Sequence, residues 1–422
     1  MPLGLYLSVP FCRTKCSYCN FASDVFSHSV FQGYVERVCK DIANASNIAE
    51  QMGGRLDPEL DSIYLGGGTP TILHVTQLEQ LFVTIRQNFK TTRDIEITVE
   101  CAPGTLSSEL LDVFCRCGVN RISLGVQSFE DREAAAVGRL HKRATVLDDI
   151  AQLRAAGISN VNIDLIAGLP HQTPQTWEYS LEQTIACQVP HVSVYMLEVD
   201  EESRLGRELI AGGTRYHAHY VPDEDATADF YLAACDRLAK AGIEQYEISN
   251  FARKGFESRH NLKYWTRQPY LGFGVDAHSM LEPSDDAYVL VRAAERETRQ
   301  EFGGSVPCEA VAAEIEAVRF SWPESLEDFL SGKPLRRMPV SRQSALEESL
   351  FLGLRLCCGV DMAQLATQFG AVAVASFSET IEELRGEGLL RCANDSIRLT
   401  ERGRLLSNEV FQKFILPRET AV

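Results

Sequence analysis

The stretch SVPFCRTKCSYCNF (residues 8–21) places three cysteines within eight positions, directly after a short apolar run. Cys12, Cys16 and Cys19 have the spacing C-x3-C-x2-C, whereas a structural zinc site normally needs four ligands, commonly in two pairs. An iron–sulfur cluster fits better, because three thiolates from one loop leave one iron of a 4Fe-4S cluster open to a ligand that is not protein. The stretch therefore predicts an iron–sulfur loop at the end of a strand.

Short apolar runs recur along the first half of the chain, and segments with helical spacing lie between them. The runs are rich in Val and Ile and lie at 5–9, 62–65, 95–99, 121–126, 161–166 and 192–197. Continuous apolar runs are typical of parallel strands that are covered on both faces. Six strand–helix units are too few for a closed eight-stranded barrel, so the pattern predicts an α/β fold, either a partial barrel or a doubly wound sheet.

Polar residues and glycines follow these strands, and in both architectures ligands bind at the carboxyl ends of the strands. We therefore expect the residues to share one rim with the cysteine loop. They are Gly67, Gly68 and Thr69 in GGGTPT, Glu100 in ECAPGT, Gln127 in GVQSF, Arg139 in VGRLHKR, Asp164 in NIDLIAGLP and Met196 in MLEVDEES. GGGTPT lacks the Lys-Ser/Thr ending of a phosphate-binding loop, and its glycines suit close approach to an amino-acid moiety equally well.

The second half of the chain changes in composition twice. An aromatic and glycine-rich segment follows the last strand–helix unit, and charged helical segments ending in the hairpin pattern LLRCANDSIRLT follow from about residue 284. We predict a barrel domain over residues 1–245, an extension that packs on the barrel with a linker over 246–335, and a mostly helical, winged-helix-like domain over 336–422.

Charge and hydropathy limit the possible partners. The chain has 41 Lys and Arg against 58 Asp and Glu, a net charge of −17, which repels nucleic acids and anionic membrane surfaces. It also lacks an apolar run of about 18 residues and a signal-peptide pattern. We expect a cytoplasmic protein without a nucleic-acid partner or an integral membrane segment. His217 and His219 in YHAHY suggest a metal pair, but no third ligand is evident nearby.

With Tyr18 before its last cysteine, the C-x3-C-x2-C pattern resembles the signature of the radical S-adenosylmethionine (SAM) superfamily. The resemblance implies a six-unit partial (β/α) barrel, in agreement with the count of strand–helix units. It also implies a 4Fe-4S cluster on Cys12, Cys16 and Cys19, whose open iron is chelated by SAM. The residues that it implies for SAM binding are Tyr6, Gly67, Gly68, Thr69, Glu100, Gln127, Arg139, Asp164 and Met196.

A narrower resemblance covers nearly the whole chain. YLGGGTPT, RISLGVQSF, NIDLIAGLPHQT and GFGVDAHS are similar to the branch that contains oxygen-independent coproporphyrinogen III oxidases and the related haem chaperones. The oxidases have a fourth cysteine two positions after the third, where this chain has Phe21. The chaperones have H-N-x-x-Y-W, and residues 260–265 read HNLKYW. The resemblance favours a chaperone that binds haem and passes it to apo-proteins, with His260, or alternatively His278, as the haem ligand.

Other functions remain open at this stage. As an enzyme, the protein would be an oxidoreductase of the coproporphyrinogen III dehydrogenase type, which decarboxylates two propionates and needs an electron donor. Arginines and lysines that could bind the substrate carboxylates are present, among them Arg143, Arg253 and Arg259. A radical methyltransferase or a haem-opening enzyme is a third possibility. A DNA-binding regulator is disfavoured by the acidic charge.

Overall fold

A computed structural model describes residues 1–284 and 315–415. Its central feature is a run of parallel strands, each hydrogen-bonded to the next. The strands are β1 (Leu3–Val9), β3 (Glu59–Gly67), β4 (Lys90–Cys101), β5 (Arg121–Gln127), β6 (Asn160–Ala167) and β7 (His191–Met196). Each of the six predicted apolar runs lies within one of these strands, apart from Leu197, one residue past the end of β7, which confirms the α/β fold.

Helices connect these strands, as the helical spacing predicts. They are α1 (Phe31–Ala43), α2 (Ala45–Met52), α3 (Val75–Asn88), α4 (Ser108–Arg116), α5 (Asp131–Ala136), α6 (Arg143–Ala155), α7 (Pro174–Ala186), α8 (Arg204–Ala211), α9 (Glu224–Lys240) and α10 (Arg259–Trp265). Local sequence determines where many of them begin: Ser107 caps α4, and Thr173 followed by Pro174 opens α7. The buried Trp177 of α7 packs in the main core, and its Nε1 donates to the carbonyl of Phe230 at 2.7 Å.

The sheet continues beyond the six parallel strands at both edges. Next to β1 lie the parallel strand β10 (Tyr270–Gly274) and then the antiparallel strands β11 (His278–Pro283), β12 (Ile315–Ser321) and β13 (Arg336–Ser341). The short strand β2 (Gly54–Arg55) pairs with β11, and next to β7 lie β9 (Asn250–Ala252) and β8 (Glu244–Glu247). The order ends in β13 and β8, which makes the fold an open, partial barrel. The extension predicted to pack on the barrel thus contributes strands to its sheet.

The C-terminal region has its own hydrophobic core, which includes Leu346, Phe377 and Leu384. The helix α11 (Leu326–Ser331) precedes this region and packs in the main core through Leu326 and Phe329. The elements of the C-terminal region are α12 (Arg342–Gly353), β14 (Val360–Asp361), α13 (Met362–Phe369), α14 (Ala371–Ala375), α15 (Ser378–Gly386), β15 (Leu390–Ala393), β16 (Ser396–Leu399), α16 (Glu401–Leu405) and α17 (Ser407–Gln412). The predicted hairpin is confirmed as β15–β16, and β14 extends it. None of the helices in the described ranges is both long and apolar enough to cross a membrane.

Candidate functional site

A cavity of about 330 Å³ opens at the carboxyl ends of the parallel strands. The structure brings together in this pocket most of the residues that the sequence predicts. They are Cys12, Cys16, Cys19, Gly67, Gly68, Thr69, Glu100, Gln127, Arg139, Asp164 and Met196. Tyr6, His260 and His278 do not line it. The expectation of a shared rim therefore holds for the cysteines and for all the residues predicted to share it, from Gly67 to Met196.

The cysteine loop is held by contacts with distant segments of the chain. The backbone N–H of Ser17 donates to the carbonyl of Val137, and the carbonyl of Ser17 accepts from the N–H of Leu205. The hydroxyl of Thr14 donates to the carbonyl of Gly138 at 3.1 Å. Because these bonds involve the segment after α5 and the first turn of α8, the position of the cysteines depends on the assembled barrel.

The three cysteines fit a cluster better than a single metal ion. All three are free and only partly exposed, and burial raises the pKa of the Cys12 and Cys19 thiols. Iron binding therefore has to displace their protons. In residues 1–284 and 315–415, no three His, Cys, Asp or Glu side chains converge closely enough for one ion. The separation of the three cysteine side chains agrees with a cluster, in which each thiolate binds a different iron.

The glycine turn after β3 packs directly on the cysteine loop. The N–H of Gly68 donates to the carbonyl of Val9, and the N–H of Thr69 donates to the carbonyl of Phe11, both at 2.7 Å. Because these two amides already donate hydrogen bonds within the protein, the turn would contact a ligand through its carbonyl oxygens and the Thr69 hydroxyl. Gly67 has a φ of 98°, in the left-handed region that favours glycine.

Two partly buried carboxylates, Glu100 and Asp164, contribute acidic groups to the pocket. Glu100 accepts a hydrogen bond from the hydroxyl of Tyr64 at 2.9 Å, and burial followed by the charge of Asp164 raises the pKa of Glu100 to about 7. Asp164 accepts from the hydroxyl of Ser123 at 3.0 Å and from Asn162 Nδ2 at 2.7 Å, and burial raises its pKa too. A cationic ligand would compensate the cost of burying these two charges.

A partly buried arginine contributes a cationic group to the same pocket. Arg139 Nη2 donates to the hydroxyl of Tyr18 at 3.3 Å, but its buried Nε has no hydrogen-bond partner in the described chain. Gln127 nearby on β5 has a φ of 68°, an uncommon conformation for a residue other than glycine. A pocket with two carboxylates and a guanidinium whose Nε lacks a partner fits a zwitterionic amino acid, so the residues present fit the methionine part of SAM.

His260 lies beneath the pocket and not in it. Its ring is 1% exposed, with Nδ1 3.0 Å from the Ser62 hydroxyl and Nε2 2.8 Å from the Tyr264 hydroxyl. The rings of Tyr64 and Tyr6 pack against it, with centroids at 5.3 and 6.2 Å. Burial lowers the pKa of His260 to about 3. This differs from the sequence-based expectation of an available haem ligand, because both ring nitrogens are occupied and the imidazole is enclosed.

His278, the alternative haem ligand, also lies outside the pocket. It begins β11, and its half-exposed side chain lies 3.7 Å from Asp276. Neither histidine candidate reaches the pocket. The fold therefore separates the predicted haem ligands, His260 and His278, from the predicted residues that line the pocket.

Sequence analysis missed other polar residues that line the pocket, such as Tyr64, Ser123 and Tyr195. Each lies inside a strand that was identified from its apolar content. Alternate residues of a strand face the same side, so Tyr64 shares a face with the rim position Gly66 of the same strand. Counting back in steps of two from each strand end could have identified these side chains.

The raised pKa of Glu100 predicts a pH effect on folding stability. A carboxyl whose pKa rises on folding stabilises the protein below its unfolded pKa, and this contribution is lost as the pH rises through about 7. Between pH 5 and pH 8, we expect the metal-free protein to lose roughly 2–3 kcal/mol relative to Glu100→Gln. Urea unfolding of both proteins at the two pH values measures the difference. Glu198→Gln, at an exposed position lining the same pocket, should show no such difference.

Two family models match the chain. The model of the radical SAM superfamily matches residues 6–184, and that of the HemN C-terminal domain matches residues 340–406. HemN, the coproporphyrinogen III oxidase of Escherichia coli described as a radical SAM enzyme, has a solved structure with a TM-score of 0.76. The similarity covers 98% of this chain and 90% of that one at 22% identity, and it shows the shared fold.

Curated relatives match over nearly their full length. The protein called "Heme chaperone HemW" in Bacillus subtilis is 32% identical over 411 residues, which cover 97% of this chain and 98% of the relative. The protein of the same name in Lactococcus lactis is 33% identical, with 98% of each chain covered. The chain therefore belongs to the radical SAM superfamily and, within it, to the HemW family.

Proposed function

We propose that the protein is a cytoplasmic haem chaperone that holds a 4Fe-4S cluster and SAM, binds haem and transfers it to haem-requiring apo-proteins. The observation that carries the proposal is the match to relatives named haem chaperones along almost the entire chain. Phe21 supports it: the side chain lines the mouth of the pocket, is 64% exposed and has no atom that can bind iron.

The pocket supports a division of roles among its residues. Cys12, Cys16 and Cys19 would hold the cluster, and Arg139 would bind the carboxylate of SAM. Glu100 and Asp164 would accept hydrogen bonds from its ammonium group or ribose hydroxyls. A 4Fe-4S cluster with an open iron supplies an electron for cleavage of SAM when both are bound. Such chemistry would require an electron donor as a further partner, whereas the net charge of −17 argues against nucleic acid.

The alternative function is the oxygen-independent oxidation of coproporphyrinogen III. The observation that favours it is that Glu100, Asp164 and Arg139, whose Nε has no hydrogen-bond partner in the described residues, line one pocket suited to SAM. In this enzyme, further arginines would bind the carboxylates of the substrate. The two proposals differ in their outcome, because the chaperone returns its haem unchanged and the oxidase releases a decarboxylated product.

A haem-transfer experiment tests the proposed function. The protein, reconstituted with iron and sulfide under anaerobic conditions, is titrated with haem, and the complex is mixed with apomyoglobin. We expect a haem absorption band on the protein that is replaced by that of myoglobin. In a parallel reaction with SAM, a reductant and coproporphyrinogen III, we expect no protoporphyrinogen. Absence of haem binding, or formation of this product, would overturn the chaperone proposal.

A further inference from the structure

Three histidines meet at the surface on the same rim as the pocket. His171 lies in the loop after β6, and His217 and His219 lie at the 3-10 turn Ala218–Tyr220 between α8 and α9. The ring centroids of His171 and His217 are 5.1 Å apart, while Tyr220 lies 4.1 Å from His171 and 4.0 Å from His219. These four residues, His171, His217, His219 and Tyr220, are called the histidine cluster below. His171 supplies the third imidazole, which the pattern YHAHY does not contain.

The backbone holds the histidine cluster in a defined arrangement. His171 and His217 have φ angles of 70° and 61°, conformations that persist for such residues only where the surroundings enforce them. The N–H of His171 donates to the carbonyl of Tyr220 at 3.0 Å. The buried carboxylate of Glu208 on α8 accepts from the N–H groups of residues 216 and 218 at 2.8 and 3.1 Å. The turn that carries two of the histidines is thus fixed to α8 and to the loop after β6.

Ring nitrogens remain available in this cluster, in contrast to His260. His171 uses both of its nitrogens, with Nδ1 3.3 Å from Arg132 Nη2 and Nε2 3.4 Å from His217 Nδ1. Neither nitrogen of the exposed His219 makes a hydrogen bond within residues 1–284 and 315–415. No three potential ligands converge on one point there, which disfavours a bare metal ion. Haem iron needs only an axial imidazole from the protein, because the porphyrin supplies the other nitrogens.

The surface around His219 has the groups that a porphyrin needs. Tyr220 is 49% exposed, and its ring centroid lies 4.0 Å from that of His219. An exposed aromatic ring beside an imidazole provides a flat surface for a porphyrin. Arg132 lies beside His171, and the guanidinium of Arg215 lies 5.4 Å from the ring of Tyr216. Both arginines could bind carboxylates such as propionates.

We propose that the histidine cluster binds haem at the protein surface, with His219 as the axial ligand and Tyr220 against the porphyrin. The proposal rests on the proposed function and names the site at which that function takes place. A surface site suits a protein that must give haem away, since release needs no opening of the fold. Ligation by His260 would instead require breaking its hydrogen bonds to Ser62 and Tyr264 and exposing the barrel interior.

Haem titrations of matched variants test this assignment. We compare the unaltered protein with His219→Ala, with the double variant His217→Ala/His219→Ala, and with His260→Ala. His28→Ala, at an exposed histidine beside Phe31, is the control for nonspecific binding to surface imidazoles. We expect the double variant to bind haem at least about tenfold more weakly. His219→Ala alone should shift the haem absorption band, whereas His28→Ala and His260→Ala should stay within about twofold of the unaltered protein.

The possible outcomes distinguish failure of the proposed haem site from failure of the proposed function. Unchanged affinity in the double variant would overturn the surface site, and a loss confined to His260→Ala would assign the ligand to the buried histidine. If the unaltered protein binds no haem, the proposed function fails together with the site. Circular dichroism melts check that each variant is folded, and His219→Ala should melt like the unaltered protein because the side chain is exposed and not hydrogen-bonded.

Discussion

Replacing Cys16 by serine is expected to abolish the iron–sulfur cluster. Each thiolate of the C-x3-C-x2-C loop would bind one iron, and a serine hydroxyl does not ionise at neutral pH to replace it. Iron bound after anaerobic reconstitution should fall from about four atoms per chain to less than about one, with loss of the visible absorption. Iron and sulfide analysis with an absorption spectrum measures the change. The same result is expected for Cys12 and Cys19.

Two exposed cysteines outside the pocket provide the controls. Cys115 follows the core positions of α4, and Cys392 lies in the C-terminal hairpin. Serine at either position should leave the iron content unchanged. Full cluster content in Cys16→Ser, or an equal loss in the control variants, would contradict the assignment of the three pocket cysteines.

A methyl group at Gly68 should disrupt the site almost as strongly. A Cβ atom there would lie 2.6 Å from the carbonyl oxygen of Phe11, 2.9 Å from that of Val9 and 3.0 Å from Cys12 Sγ. Two of these atoms belong to the backbone and cannot move aside without displacing the cysteine loop. For Gly68→Ala we expect a loss of about 1–3 kcal/mol in unfolding free energy and at least about a tenfold loss in SAM affinity.

Chemical denaturation and calorimetric SAM titration of the reconstituted protein measure these two effects. Gly33→Ala is the matched control, since a Cβ atom at this helical position meets no atom within 4 Å. The control should be unchanged or slightly more stable, because alanine favours the helix over glycine by up to about 1 kcal/mol. Wild-type SAM binding by Gly68→Ala would show that the turn does not hold the loop in place.

Local patterns in the sequence predict the six strands and the position of the pocket. Contacts between distant residues determine the pairing of β10, the enclosure of His260 and the pairing of His217 with His171. The apolar runs and the polar residues after them can each be identified within a short stretch of sequence. Because ligands bind at the carboxyl ends of parallel strands, these polar residues are predicted to share one site. The pairing of Gly4 with Tyr270 in β10 has no local signal. His260 is enclosed because Ser62, far away in the chain, lies against its ring. His217 likewise meets its partner His171 only through folding.

The hydrogen bonds between the cysteine loop and the segments near residues 137 and 205 have a consequence for the biosynthesis of the protein. The cysteines leave the ribosome before Val137 and Leu205, the partners that hold Ser17 in place. At roughly 5–20 residues per second, about 10–40 s separate the emergence of Cys19 from that of Leu205. During this time the thiols belong to an unfolded segment, so metal insertion is expected after translation of the barrel, and the nascent thiols depend on a reducing environment until then.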